Sequence, residues 1–272
     1  MLTKIAPIPP LNGQSLNQPF ETTSPRHILY FQFFNLSKYG NLVHAVFSRC
    51  GGVSKSPFTG LNVSYASGDH QKNVNTNLRI IKKTLGAERL VAMNQVHGRR
   101  IHVFTQKYPG ILERPVSADA VITTLKHLCV IVKLADCQAI VILDPGKGVL
   151  ANVHCGWRGN VANLPGAVVA KMKADFGCKP SDLIAGIGPS LGPCCAEFVT
   201  HKDLFPEHFG RFMVRENYFN LWEITKWQLT QAGIREENIE IAGICTRCRT
   251  DLFYSYRAEG VTGRFATAAM LK

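Results

Sequence analysis

Apolar positions along the chain change their period twice. From Gln71, the residues Val74, Leu78, Ile81 and Leu85 recur at helical spacing and Gly86 follows as a stop, which predicts a helix over 71–85. Before it, residues 42–47 form a short apolar run. Beyond it, short runs at 89–95, 99–105, 120–124, 128–134, 139–143 and 149–153 are punctuated by Pro and Gly and read as strands. Gaps this short leave no room for a crossover helix between most of them, so the pairing is expected to be mixed or antiparallel. Helical patterns are expected at 161–176, just after Cys194, and at 221–232, with strands at 183–187, 239–244 and 264–268. There is no internal repeat and no linker. The pattern predicts one α+β domain over 26–272, with mixed β-sheets flanked by helices. Residues 1–25, rich in Pro, Asn, Ser and Thr, are expected to be an N-terminal extension.

Composition narrows the function classes. The 272 residues are 46% hydrophobic and 18% charged, as in an ordinary folded protein. Lys and Arg outnumber Asp and Glu by 31 to 19, a formal charge of +12 that favours anionic ligands without naming one. The basic residues are scattered singly or in pairs such as Lys82-Lys83, and no nucleic-acid motif accompanies them, so no nucleic-acid partner is expected. No apolar stretch is long enough for a membrane span, and the first residues lack the apolar core of a signal peptide; a cytoplasmic protein without membrane contact is expected. Nine cysteines, an odd number that includes the adjacent Cys194 and Cys195, fit free thiols better than a disulfide framework.

Three residues at strand ends are candidates for chemistry. His97 lies between two strand patterns, Cys137 separates two others in Ala135-Asp136-Cys137, and His154 closes a strand before Cys155-Gly156-Trp157-Arg158-Gly159. Two imidazoles and a thiolate make a three-ligand zinc site with a fourth position free, the catalytic arrangement. The same residues also read as a Cys137–His154 dyad without metal, or as two turn histidines and a buried thiol. Asp136 is a candidate to orient an imidazole or act as a base. Arg49, Arg158 and Arg264 border glycine-containing turns where a guanidinium can grip phosphate. Cys245-Thr246-Arg247-Cys248 fits a CxxC pattern but has no second CxxC, and the turn carrying Cys194 and Cys195 is expected to shape the backbone. Neither a Walker sequence nor a dinucleotide fingerprint is present.

Taken in order, these motifs resemble the laccase-domain family, whose members have been called multicopper polyphenol oxidases, peptidoglycan editing factors and purine nucleoside phosphorylases. The resemblance rests on Arg49-Cys50-Gly51-Gly52-Val53-Ser54, Gln95-Val96-His97-Gly98, Ala118-Asp119-Ala120, Ala135-Asp136-Cys137, His154-Cys155-Gly156-Trp157-Arg158-Gly159, Gly188-Pro189, Cys194-Cys195, Phe253-Tyr254-Ser255-Tyr256-Arg257 and Thr262-Gly263-Arg264. It implies a fold related to cysteine-hydrolase architectures and zinc held by His97, Cys137 and His154. It further implies phosphorolysis of adenosine, inosine and methylthioadenosine, with deamination of adenosine, so that purine nucleosides and phosphate are the expected partners. Cys137, His154 and Asp136 are then the expected catalytic residues, and Arg49, Gln95 and Arg158 the expected contacts to substrate or phosphate. Copper is implied only by one of the family's names, and a phenol oxidase would need His-x-His clusters that the chain lacks. An amidase or hydrolase editing peptidoglycan precursors with the same Cys and His residues is the alternative activity. Cys155, Ala196 and Leu134 stand where the family usually has alanine, tyrosine and threonine, departures that bear on substrate preference.

Overall fold

Runs that are apolar at every position bury both faces of a sheet, and that is how this chain uses them. The structure, a computed structural model, describes residues 28–105 and 116–272. The expected extension over 1–25 lies outside the described residues. Its strands are β1 (Tyr30–Phe31), β2 (Leu42–Phe47), β3 (Arg89–Ala92), β4 (Ile101–Phe104), β5 (Ala120–Thr123), β6 (Leu128–Leu134), β7 (Gln138–Asp144), β8 (Val149–Cys155), β9 (Ile184–Ile187), β10 (Met213–Arg215), β11 (Tyr218–Phe219), β12 (Ile239–Ile241) and β13 (Phe265–Leu271). Helices are α1 (Phe34–Ser37), α2 (Gln71–Leu85), α3 (Trp157–Val161), α4 (Leu164–Phe176), α5 (His201–Leu204), α6 (Leu221–Gln231) and α7 (Tyr256–Glu259).

A five-stranded sheet in the order β1-β2-β13-β6-β3 faces a six-stranded sheet in the order β12-β9-β7-β8-β5-β4, and β10 and β11 form a separate hairpin. Both large sheets are mixed: β3 runs parallel to β6 and β4 parallel to β5, while β7, β8 and β13 pair antiparallel with their neighbours. Alternation along the strands assigns the layers. Val130, Val132 and Leu134 of β6 meet Ala139, Val141 and Leu143 of β7 between the sheets. Cys129 and Ile131 face α2 on the outside of one sheet, and Ile140 and Ile142 face α4 on the outside of the other. The result is a helix–sheet–sheet–helix α+β domain.

Buried polar side chains also sit between the sheets, Asn152 among them. Asn152 of β8 donates to the backbone carbonyls of Val130 (2.9 Å) and Thr267 (3.0 Å), which belong to the opposite sheet. These bonds tie the two sheets together two residues before His154.

Two expected elements differ. The helix at 161–176 is split: Asn163 adopts a left-handed conformation (φ 49°) and caps α4 through Gly166 N, while Pro165 enters the first turn, where its missing N–H costs nothing. No helix follows Cys194 directly; a turn carries both cysteines, and helix resumes only at α5.

Candidate active site at the parting of the two sheets

Strand register assembles the site. His154 is two residues beyond Asn152 on β8 and points the same way, toward the cleft between the sheets. Ala139 of β7 is its partner in register, so Cys137, two residues earlier, places its thiol beside that imidazole. On the other flank Ala120 of β5 pairs with Val153, which puts Asp119 next to His154, and His154 N donates to Asp119 O at 2.6 Å.

Asp119 is the organising group, and the sequence assigned it no role. It is fully buried, and its Oδ1 accepts from the backbone N–H groups of Val96 (3.1 Å) and His97 (2.8 Å), its Oδ2 from that of Gly98 (2.8 Å). This cradle holds the loop in which His97 takes a left-handed conformation (φ 56°). The same Oδ1 lies 3.1 Å from His154 Nδ1. Burial opposes the Asp119 charge, but the hydrogen bonds from His154 and the loop outweigh it and hold the carboxyl below its ordinary range. An ionised carboxylate only accepts, so His154 Nδ1 carries the proton and Nε2 is left for a ligand.

His97 and His154 meet edge to face at 4.8 Å between ring centroids. One ligand atom from each of His97, Cys137 and His154 lies within 4.8 Å of the others, so the three could hold one metal ion. Burial alone would push the Cys137 thiol up, yet His154 and His97 outweigh it and bring it down to about 6. Burial likewise opposes a charged His154, while Cys137 and Asp119 raise it to about 9. The pair therefore favours thiolate beside imidazolium, or a thiolate ready for a cation. Gly156 makes this approach possible, because a Cβ there would stand 2.9 Å from Cys137 Sγ.

The cluster opens into a cavity of about 540 Å³, within the roughly 300–1,000 Å³ typical of small-molecule sites. Its walls include Gln95, Lys133, Arg158, Tyr256, Arg257 and Arg264. Burial chiefly, and then the nearby Arg264, draw Lys133 downward. Arg158 stacks on Trp157 at 4.2 Å. Gln95 lines the wall, but its amide is committed to Lys133: Nε2 donates to the carbonyl (2.8 Å) and Oε1 accepts from the N–H (2.8 Å).

Two expected site residues make contacts other than those expected. Asp136 does not orient an imidazole; its carboxylate accepts from Thr246 Oγ1 (2.7 Å), Ser255 Oγ (2.7 Å) and Arg257 N (2.6 Å), which fastens the cavity wall. Arg49 lies outside the cavity lining, because its guanidinium pairs with Glu259 (2.8 Å), donates to Thr250 O (2.8 Å) and covers the Tyr254 ring. Lys133, Tyr256 and Arg257 were missed as cavity residues; the Phe253–Arg257 motif was the available signal. Cys194, Cys195, Cys245 and Cys248, separate in the sequence reading, come together in a second group.

A family model described as multi-copper polyphenol oxidoreductase laccase matches residues 43–272. The chain is 34% identical over 234 residues to "Purine nucleoside phosphorylase SCO2081" of Streptomyces coelicolor, covering 80% of this chain and 90% of the relative. It is 28% identical over 256 residues to "Purine nucleoside phosphorylase" of Bacteroides thetaiotaomicron, covering 87% and 94%. The crystal structure of YlmD from Geobacillus stearothermophilus superposes with a TM-score of 0.80 at 28% identity, covering 86% of this chain and 93% of that one.

Proposed function

The chain belongs to the multi-copper polyphenol oxidoreductase laccase family, and on that premise we propose that it is a zinc-dependent purine nucleoside phosphorylase that also deaminates adenosine. The observation that carries this reading is a three-ligand centre, oriented by a buried carboxylate, at the base of a cavity walled by four cationic side chains, Lys133, Arg158, Arg257 and Arg264. His97, Cys137 and His154 would hold the metal. Two nitrogens and one sulfur suit zinc, and neither potential ligand group among the described residues has the many histidines of a multicopper site. When bound, zinc supplies Lewis-acid polarisation and lowers the pKa of water.

The chain's own residues divide the remaining work. Arg158, Arg257 and Arg264 bind phosphate and hold it against the ribose carbon, where its oxygen forms the new C–O bond as the glycosidic C–N bond breaks. The electron pair leaves with the purine, which takes the proton given up by the attacking phosphate, directly or through solvent water, and is released as free base; the sugar departs as its 1-phosphate, ribose 1-phosphate from adenosine or inosine and the 5-methylthio derivative from methylthioadenosine. Trp157, Phe198 and Tyr256 offer aromatic faces for the base. Asp119 keeps His154 in one tautomer throughout. Adenosine, inosine and methylthioadenosine are the proposed substrates.

A specific observation favours a second reading. Cys137 drawn down beside a His154 drawn up is also the state of a cysteine–histidine nucleophile, which would suit an amidase acting on peptidoglycan precursors. Metal-quantified protein incubated with adenosine, with and without phosphate, separates the readings. Inosine formed without phosphate reports deamination, and adenine formed only with phosphate reports phosphorolysis. Absence of both products, with cleavage of a muropeptide-linked nucleotide by metal-free protein, would overturn the phosphorylase reading.

A further inference from the structure

A second sulfur-rich group lies behind the cavity wall. Cys194 and Cys195, on the turn after β9, and Cys245 and Cys248, on the loop after β12, bring all four Sγ atoms within 4.8 Å of one another. Cys248 Sγ is 3.6 Å from both Cys194 Sγ and Cys195 Sγ. A disulfide needs about 2.0 Å between sulfurs, so these are not bonded pairs. They are close to the edge of a tetrahedron of sulfurs around a metal at about 2.3 Å, which is about 3.8 Å.

The surroundings are arranged around sulfur. Gly192 N donates to Cys245 Sγ at 3.3 Å. A Cβ at Gly192 would stand 2.9 Å from both Cys245 Cβ and the Trp222 ring, so only glycine lets this backbone reach the thiol. The two segments pair as neighbours: Ser190 N donates to Ile244 O (3.2 Å) and Thr246 N to Ser190 O (3.0 Å). Arg247, between the two cysteines of the CxxC, supplies positive charge beside Cys195. Four converging thiols, amide N–H donation to sulfur and an adjacent cation are the components of a closed structural metal site.

We propose that Cys194, Cys195, Cys245 and Cys248 bind one zinc ion as a tetrathiolate, a site separate from the His97–Cys137–His154 centre. It clips the loop that carries the lining residues Leu191 and Phe198 to the loop that leads on to the lining residues Tyr256 and Arg257. Leu191 N donates to Asp136 O (2.8 Å), and Thr246 Oγ1 to Asp136 Oδ1 (2.7 Å), so both clipped segments end on the residue next to Cys137. Phe198 and Arg257 belong to the same wall, and Arg257 Nη1 donates to Glu197 O at 3.0 Å. The zinc carries no open position and takes no part in bond making; it fixes the wall's position.

The test is metal stoichiometry on the full chain, purified under reducing conditions without chelator, and it needs no activity. Wild type is expected to carry about two zinc ions per chain, Cys137→Ala about one, and Cys194→Ser/Cys248→Ser about one. X-ray absorption at the zinc edge of Cys137→Ala is expected to show four sulfurs at about 2.3 Å and no nitrogen. Should Cys137→Ala fail to fold, the wild-type spectrum is expected to be sulfur-rich and to lose sulfur in Cys194→Ser/Cys248→Ser. That double variant should also bind nucleoside more weakly while its remaining zinc stays at the histidine centre. Full zinc retention in the double variant would overturn the proposal. So would a first shell containing nitrogen in Cys137→Ala, or thiol titration of the denatured wild type showing a disulfide among the four.

Discussion

Two groups of cysteine-bearing ligands stand on opposite sides of one cavity wall, and their surroundings differ in kind. At His97, Cys137 and His154 the ligands come from two strand ends and a loop, a buried carboxylate orients one of them, and the group opens into the cavity. At Cys194, Cys195, Cys245 and Cys248 the potential ligands come from two paired loops, the Gly192 backbone N–H donates to one sulfur, and no histidine takes part. Three ligands leave a position for chemistry, whereas four close the coordination sphere. The first arrangement suits reaction and the second suits construction.

The largest break in this contrast is His154→Ala. It should abolish phosphate-dependent cleavage of inosine, a loss of about a thousand-fold or more if the metal supplies several kcal/mol of transition-state stabilisation. Zinc at the thiolate cluster should survive the same change, which elemental analysis would show. Asp119→Asn comes next. It preserves shape but replaces one of the two carboxylate oxygens that together serve His154 and three backbone N–H groups, so metal affinity or turnover should fall by about 10–100-fold. Metal titration alongside steady-state kinetics would read this, and an unchanged affinity and rate would refute the role given to Asp119.

The pH dependence of Cys137 in metal-stripped protein sharpens the comparison further. Thiolate, not thiol, is alkylated, and an ordinary cysteine ionises near about 8.5. With Cys137 drawn down to about 6, its alkylation should persist below neutrality and fade only as pH drops through that value. Cys129, pushed up to about 12 by burial, should stay unreactive throughout. Mass spectrometry after a pH series of alkylation would show the order, and zinc loading should protect Cys137.

Smaller effects separate the arginines. Arg158→Gln should raise the KM for phosphate about tenfold, the value of one lost charge-assisted hydrogen bond. Arg49→Gln should leave that KM unchanged and instead cost about 1 kcal/mol of stability, because it breaks the partly exposed Glu259 pair. Equal effects on phosphate binding would contradict the placement of Arg49 outside the cavity.

The parts legible in the sequence were those set by local pattern. β2 and β6 coincide with apolar runs because both faces of each strand are buried, and Gly86 ends α2 in a left-handed conformation, where glycine costs least. Tyr30–Phe31 and Phe34–Ser37 escaped notice because elements so short carry no period. His97, Cys137 and His154 were visible as strand-end residues. Asp119 was not, since its role depends on the register of β5 against β8. The Arg49–Glu259 pair was not legible because its members are remote in the chain, and the two cysteine pairs could be joined only by the approach of two loops.

The central claim is that the open three-ligand centre performs phosphorolysis. The direct measurement is the formation of ribose 1-phosphate and hypoxanthine from inosine by zinc-loaded protein, with phosphate varied and Cys137→Ala run in parallel. The account predicts matched, phosphate-dependent formation of both products, lost in Cys137→Ala while the thiolate zinc remains. Undiminished product formation by Cys137→Ala lacking zinc at the histidine centre would contradict it.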